Sequence, residues 1–213
     1  MAVVVTGGAI PGADTALGMT WAAAQIAKSE DGIAGDGFLI RGLADFILIA
    51  LIDGTGSGPE AARAANVGLQ RIQKVEASDL GDICQSTHRA LQGTRGAALG
   101  LCRIDPINAE VVWTSVGDVD GVLRGLDPDV PNQGIFQNNG TLGRSMSDTV
   151  HRASGRLSPG DTILLTTDGV SKAYRKDRDL GPDPETIVRR LMDRYGDPAD
   201  DCSVICVQME GGK

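Results

Sequence analysis

Seven consecutive apolar residues, Phe46 to Ile52, run directly into Asp53 and a stretch with three glycines in five residues, Gly54 to Gly58. The run is too short to cross a bilayer and rich enough in Ile and Leu to form a strand buried on both faces. Burial then becomes costly at its end. A carboxylate at the mouth of such a strand must be compensated by a cation, a metal or backbone donors, and glycines let a backbone come close enough to help.

The same phrase recurs along the chain. Asp161 to Thr167 is again a largely apolar strand, closed by Asp168-Gly169, while Asp200-Asp201 stands just before the apolar Ser203 to Met209 and Gly35-Asp36-Gly37 precedes Phe38-Leu39-Ile40. Each of these acids alone reads equally well as a turn or loop residue, because Asp-Gly is a common turn dipeptide. As an ordered set they say more. If the strand ends converge, they form a cage of oxygen ligands without histidine or cysteine, which suits magnesium or manganese rather than zinc or copper.

At 213 residues the chain has room for one substantial domain, expected over 19–213, with 1–18 as a flexible leader or an extra edge strand. Val3-Val4-Val5-Thr6-Gly7-Gly8 opens like a dinucleotide-binding turn, but Gly12 and Gly18 are out of step with G-x-G-x-x-G and Pro11 interrupts the helix start. A net charge of -8 argues against nucleic acid and anionic membrane surfaces, and 3% aromatic residues leave little for base stacking. No apolar run approaches ~20 residues and no basic segment precedes Val3, so a cytoplasmic protein is expected. The four cysteines, Cys84, Cys102, Cys202 and Cys206, sit among apolar neighbours and read as reduced core residues.

In chain order, strands are expected at 21–27, 38–41 and 46–52 as an antiparallel meander, with a turn at 28–33. Pro59 begins a helix to Lys74 with Ala61, Ala62, Ala65, Leu69 and Ile72 at helical spacing, and Asp79 caps a second through Leu91 that buries Leu80, Ile83, Cys84 and Thr87. Strands at 97–104, 111–116 and 119–124 lead to a long loop, 127–143; two more at 149–157 and 162–167, a helix at 184–195 and a last strand at 203–209 complete the chain. Runs of strands separated from runs of helices point to an α+β architecture, antiparallel sheets packed together with helices outside.

Other chemistries lack their parts. Cys84 and Arg89 are one residue too close for a cysteine-dependent phosphatase loop, Gly54 to Gly58 lacks the Gly-Lys-Ser/Thr of a nucleotide loop, and the two histidines, His88 and His151, sit in no motif. Lys172, Arg175, Lys176 and Arg178 form either a solvated loop or a dock for an acidic or phosphorylated partner.

Taken in order, Gly35-Asp36, Ile52-Asp53-Gly54-Thr55-Gly56-Ser57-Gly58, Arg95-Gly96-Ala97, Ser115-Val116-Gly117-Asp118-Val119, Thr167-Asp168-Gly169 and Asp200-Asp201-Cys202-Ser203 resemble the motif series of the metal-dependent type 2C serine/threonine phosphatases. Within that superfamily the likeness is to the small bacterial SpoIIE-like branch and its stressosome phosphatases. It runs from about Met19 to Met209.

The resemblance implies an α-β-β-α sandwich of two mainly antiparallel sheets, with two manganese or magnesium ions in a cleft at one edge of the sheets. Asp53 would bridge both ions, the Gly54 carbonyl would serve one, and Asp36, Asp168 and Asp200 would complete the cage. Asp53 and Asp168 would act through the metal and its water. Asp118 matches a position tied to a third ion in the wider superfamily, and Asp201 is a candidate outside the direct ligands. The implied substrates are phosphoserine and phosphothreonine on STAS-domain proteins of a stressosome, hydrolysed by a monomer. Two departures stand out. The histidine that follows the first Asp-Gly in many type 2C enzymes is replaced by Thr55, Gly56 and Ser57; the phosphate-binding arginine upstream is replaced by Gly32 in the nearest register, leaving Lys28 as a substitute. These departures keep a second reading open, a non-catalytic phosphoprotein-binding module of the same fold. A metal-dependent nuclease or small-molecule phosphohydrolase would share the chemistry, the nuclease being disfavoured by charge.

Overall fold

The computed structural model describes residues 3–7, 18–28, 32–126 and 132–210. Parts of the expected leader, of the turn at 28–33 and of the long loop at 127–143 lie outside them. In chain order the elements are β1 Val3–Gly7, β2 Met19–Ile26, β3 Asp36–Gly42, β4 Ile47–Gly54, α1 Pro59–Gln73, α2 Leu80–Ala90, β5 Ala97–Asp105, β6 Glu110–Val116 and β7 Asp120–Arg124. The two-residue strands β8 Gln133–Gly134, β9 Gln137–Asn138, β10 Gly140–Thr141 and β11 Ser145–Met146 follow. Then come β12 Ala153–Arg156, β13 Thr162–Thr166, the 3-10 turn Lys172–Lys176, α3 Pro184–Tyr195 and β14 Cys202–Met209.

One sheet runs β1-β2-β14-β13-β7-β8 and the other β12-β6-β5-β4-β3, with β9 added in parallel to β6. The pairings along both orders are antiparallel. Alternation along β4 explains how the layers stack. Ile47, Ile49 and Leu51 join Leu165, Ile205 and Val207 in the core between the sheets, whereas Leu48, Ala50 and Ile52 face Ala65, Ile72, Ile83 and Leu91 of the helical layer. Both faces are dry. Each such side chain contributes roughly 1.5–3 kcal/mol by leaving water, so a continuous apolar run suits a strand covered on both faces. On the far side, α3 lays Ile187, Val188, Leu191 and Met192 on Ala22, Leu164, Val204 and Cys206. The result is the α-β-β-α sandwich expected.

The helix limits follow from their caps. Asp79 accepts from the Gly81 and Asp82 amides, as its position suggested, and Asp183 does the same for Thr186 at the start of α3. The face of α1 is turned slightly from the expected one: Ala64 and Gly68 are buried where Ala62 and Leu69 are only half-buried, because a Cβ on Gly68 would lie 2.4 Å from Ile52 Cδ1 and the helix settles closest there. All four cysteines are free and buried.

Three sequence readings need correction. The strand at 19–26 does not continue into a meander with β3; it lies in the other sheet, between β1 and β14. β2 and β3, consecutive in the chain, thus lie in different sheets. Nor is the described part of 127–143 only a loop, since it holds β8, β9 and β10, and buried Asn138 donates to Thr114 Oγ1, the Ser115 carbonyl and the His151 carbonyl, and accepts from the His151 amide. Similarly, 149–157 is a strand only over Ala153–Arg156.

Candidate active site

Antiparallel register sets Asp36 directly opposite Asp53 across β3 and β4, with Ala98 next in line on β5. From the other sheet, Asp168 leaves the end of β13 and Asp200 arrives just before β14. The strand ends converge on one cavity of 390 Å³, walled by these four carboxylates, Asp118 and Asp201, with Lys28, Thr55, Gly56, Ser57 and Thr141 at its sides. Both sheets therefore contribute acids to a single cleft at their shared edge.

Glycine makes the convergence sterically feasible. A Cβ on Gly54 would stand 2.1 Å from the Ala61 carbonyl oxygen, and one on Gly169 would stand 2.1 Å from that of Asp201. Neither glycine has a positive φ. Both Asp-Gly pairs thus serve close backbone approach and not tight turns. The Gly54 amide donates to the Gly35 carbonyl at 3.1 Å, which ties the two carboxylate-bearing strand ends of one sheet together.

Hydrogen bonds sort the acids by role. Thr167 Oγ1 donates to Asp36 Oδ2 at 2.9 Å and accepts from the Ser203 amide at 2.9 Å, joining one sheet to the other behind the cavity. Asp201 accepts from the Lys28 amide at 2.7 Å with Oδ1 and from the Gly35 amide at 2.8 Å with Oδ2, and it is buried. Its carboxylate is spent on the backbone. Asp200 Oδ1 accepts from the Asp201 amide and lies 3.5 Å from Lys28 Nζ, leaving the group half open to the cavity. Asp118 and Asp168 are exposed, at the front.

Charge is crowded here. Burial, then the neighbouring carboxylates Asp36, Asp168 and Asp200, push Asp53 up to about 9. Burial likewise pushes Asp36 up to about 6, against hydrogen bonds from Ser203 and Thr167 that pull it down. Asp168, though exposed as a residue, is raised by partial desolvation of its carboxylate and then by Asp200 and Asp118. Among the described residues no three acidic, histidine or cysteine side chains stand ready-made to hold an ion. The donor set nevertheless fits a hard divalent cation: every acid offers oxygen, Lys28 is the sole cationic wall residue, and burial and mutual repulsion raise Asp53 and Asp36, a crowding that positive charge relieves.

The model of the family described as Stage II sporulation protein E (SpoIIE) matches residues 45–210. The chain belongs to the SpoIIE family. Its fold is that of the type 2C protein phosphatases, as the solved relatives agree. Among curated proteins, the phosphoserine phosphatase RsbX of Bacillus subtilis (strain 168) is 22% identical over 151 residues, 69% of this chain and 72% of RsbX. A crystal structure of RsbX in complex with magnesium superposes with a TM-score of 0.82 at 20% identity, covering 98% of this chain and 100% of that one. A chain from the structure described as the bacterial stressosome, a modular system adapted to control secondary messenger signaling, is 28% identical with a TM-score of 0.79, covering 89% and 99% of the two chains.

Within this SpoIIE-family fold the structure collects Asp36, Asp53, Asp118, Asp168, Asp200 and Asp201 at one cavity, and Gly54 lies at the strand end beside it. Sequence reasoning passed over Thr167, whose signal was its place between a buried strand and Asp168, where a hydroxyl is costly unless bonded. In the basic stretch after Asp168, Lys172, Lys176 and Arg178 are exposed, but Arg175 is engaged. Arg175 pairs with Asp120, which is 1% exposed and also accepts from the Tyr174 hydroxyl at 3.1 Å. Lys28, the suggested phosphate-binding substitute, is at the cavity but faces Asp200.

Proposed function

We propose that this chain is a metal-dependent serine/threonine phosphatase that removes phosphate from phosphoserine and phosphothreonine on STAS-domain proteins of a stressosome, in the cytoplasm, and so resets a stress-signalling complex. The observation that carries the reading is the gathering of carboxylates from both sheets around Asp53 at the mouth of the doubly buried strand. The RsbX and stressosome likenesses support the choice of substrate class. Residues 19–213 act as the one catalytic domain, working as a monomer.

Asp53 would hold two magnesium or manganese ions between them, helped by the Gly54 carbonyl, with Asp36, Asp168 and Asp200 as the remaining ligands and Asp118 available to a third ion. Bound there, divalent cations supply positive charge to the phosphoryl group and make water a competent nucleophile near neutral pH. The protein's own part is positional. Thr167 fixes the Asp36 carboxylate, and Asp201 keeps Lys28 and Gly35 close, so that the acids are aimed before substrate arrives. Among the described residues no histidine lines the cavity, so the leaving serine oxygen takes its proton from a group other than histidine.

The deciding assay measures phosphate release from a phosphoserine-bearing STAS protein with manganese, with magnesium and with chelator, for wild type and Asp53→Asn. Metal-dependent release that is lost in the variant is expected. Unchanged binding of the phosphoprotein by both, with no release by either, would instead establish a non-catalytic binding module, the reading favoured by the absent histidine.

A further inference from the structure

A phosphate dianion approaching six carboxylates is repelled until cations intervene, and the cavity's wall lysine is engaged by Asp200. Two other cations stand beside the Thr55–Ser57 and Thr141 wall of the cavity. Arg95 leaves the turn between α2 and β5, and a Cβ built on Gly56 would lie 2.8 Å from its Nη1, so its guanidinium lies against the Thr55–Ser57 segment that walls the cavity. Arg144 follows Thr141, a wall residue, and donates from Nε to the Arg95 carbonyl at 2.6 Å. Both side chains are exposed, and among the described residues neither has a carboxylate partner.

Their backbone is held firmly. The Gly96 amide donates to Thr94 Oγ1 at 3.0 Å, the Gly96 carbonyl accepts from the Thr55 amide at 2.9 Å, and Thr94 Oγ1 itself donates to the Leu91 carbonyl at 2.7 Å. Gly96 has φ +86, and a Cβ there would stand 2.7 Å from the Leu142 carbonyl, so no bulkier residue allows this turn. A fixed turn that aims an unpaired guanidinium at the lip of an acidic cavity is built to meet an anion.

We propose that Arg95, seconded by Arg144, is the substrate-binding residue that captures and orients the phosphoryl group at the cavity mouth. This rests on the phosphatase reading and names the residues by which the site takes its substrate. The guanidinium fork bonds phosphoryl oxygens that face away from the carboxylates. Arg95 also offsets the repulsion that the acids exert on the incoming dianion.

Inorganic phosphate, the product common to every substrate, is the probe. Its binding to the magnesium-loaded protein is measured by calorimetry for wild type, Arg95→Ala, Arg95→Lys and Arg144→Ala, alongside the melting temperature of each. Arg95→Ala is expected to weaken phosphate by about tenfold or more, as loss of a charge-assisted bond does, with Arg95→Lys in between, Arg144→Ala weaker in effect, and melting unchanged. With the phosphoprotein, Arg95→Ala should raise KM more than it lowers kcat. Phosphate binding by Arg95→Ala as tight as in wild type overturns the proposal. If wild type hydrolyses no phosphoprotein, the function fails, and the calorimetric comparison still decides on Arg95.

Discussion

Thr167, which directly follows β13, donates a hydrogen bond from its hydroxyl to Asp36 at 2.9 Å, so the bond links the ends of opposite sheets of the sandwich. The bond sits where the two sheets meet behind the acidic cavity, and the same oxygen receives the Ser203 amide. One buried hydroxyl thus aims a carboxylate and pins a strand.

Replacing it tests both roles. Thr167→Val, nearly equal in volume, leaves a buried amide and a buried carboxyl each short of a partner, at a cost of about 1–3 kcal/mol. Denaturant midpoints should fall accordingly, and magnesium affinity should drop by roughly 10–100-fold, as when an outer partner of a ligand is lost. Thr167→Ser should recover most of both.

Asp200 and Asp201 are neighbours with opposite assignments. Asp201→Ala removes the acceptor of the Lys28 and Gly35 backbone amides and should cost about 3 kcal/mol. Asp200→Ala, half-exposed, should leave the urea midpoint nearly unchanged while abolishing magnesium-dependent phosphate release. Equal destabilisation by both would contradict the distinction.

The raised carboxyls make a pH prediction for the metal-free protein. Asp36 and Asp53 keep their protons to about 6 and about 9 when folded but not when unfolded, so the folded state binds more protons above the ordinary carboxylate range. Their contribution is complete below that range and is lost as pH rises through these values. In chelator, urea midpoints should decline from pH 5 to 9. Magnesium should flatten or reverse the trend, because deprotonated carboxylates bind it best. A flat profile in chelator would sink the idea.

Arg175 should behave as a structural residue. Arg175→Met leaves Asp120 buried with only the Tyr174 hydroxyl, and removing one partner of such a pair costs about 3 kcal/mol. Circular-dichroism melts should show the loss. Phosphate affinity should be unaffected, whereas a docking patch would give the reverse.

Much of this fold is written in local pattern. The unbroken apolar stretch of β4 announces a strand with two dry faces, Asp79 and Pro184 mark helix starts, and the face of α2 is the periodic one, Leu80, Ile83, Cys84 and Thr87. The Asp-Gly strand ends could be picked out for the same reason: a charge beside a buried run needs an explanation wherever it stands. Partnership across the chain could not be read. β2 could by pattern pair with β3; in the closed fold its backbone is instead hydrogen-bonded along β14, in the other sheet. Asp200 and Asp201 are identical as letters. What separates them is that one carboxylate meets two backbone amides from residues more than 160 positions away and the other opens on a cavity. Sequence fixes which groups must find a partner, since burial and charge are properties of residues and their neighbours; which partner each finds is a matter of distance, and distance exists only once the two sheets have closed on one another.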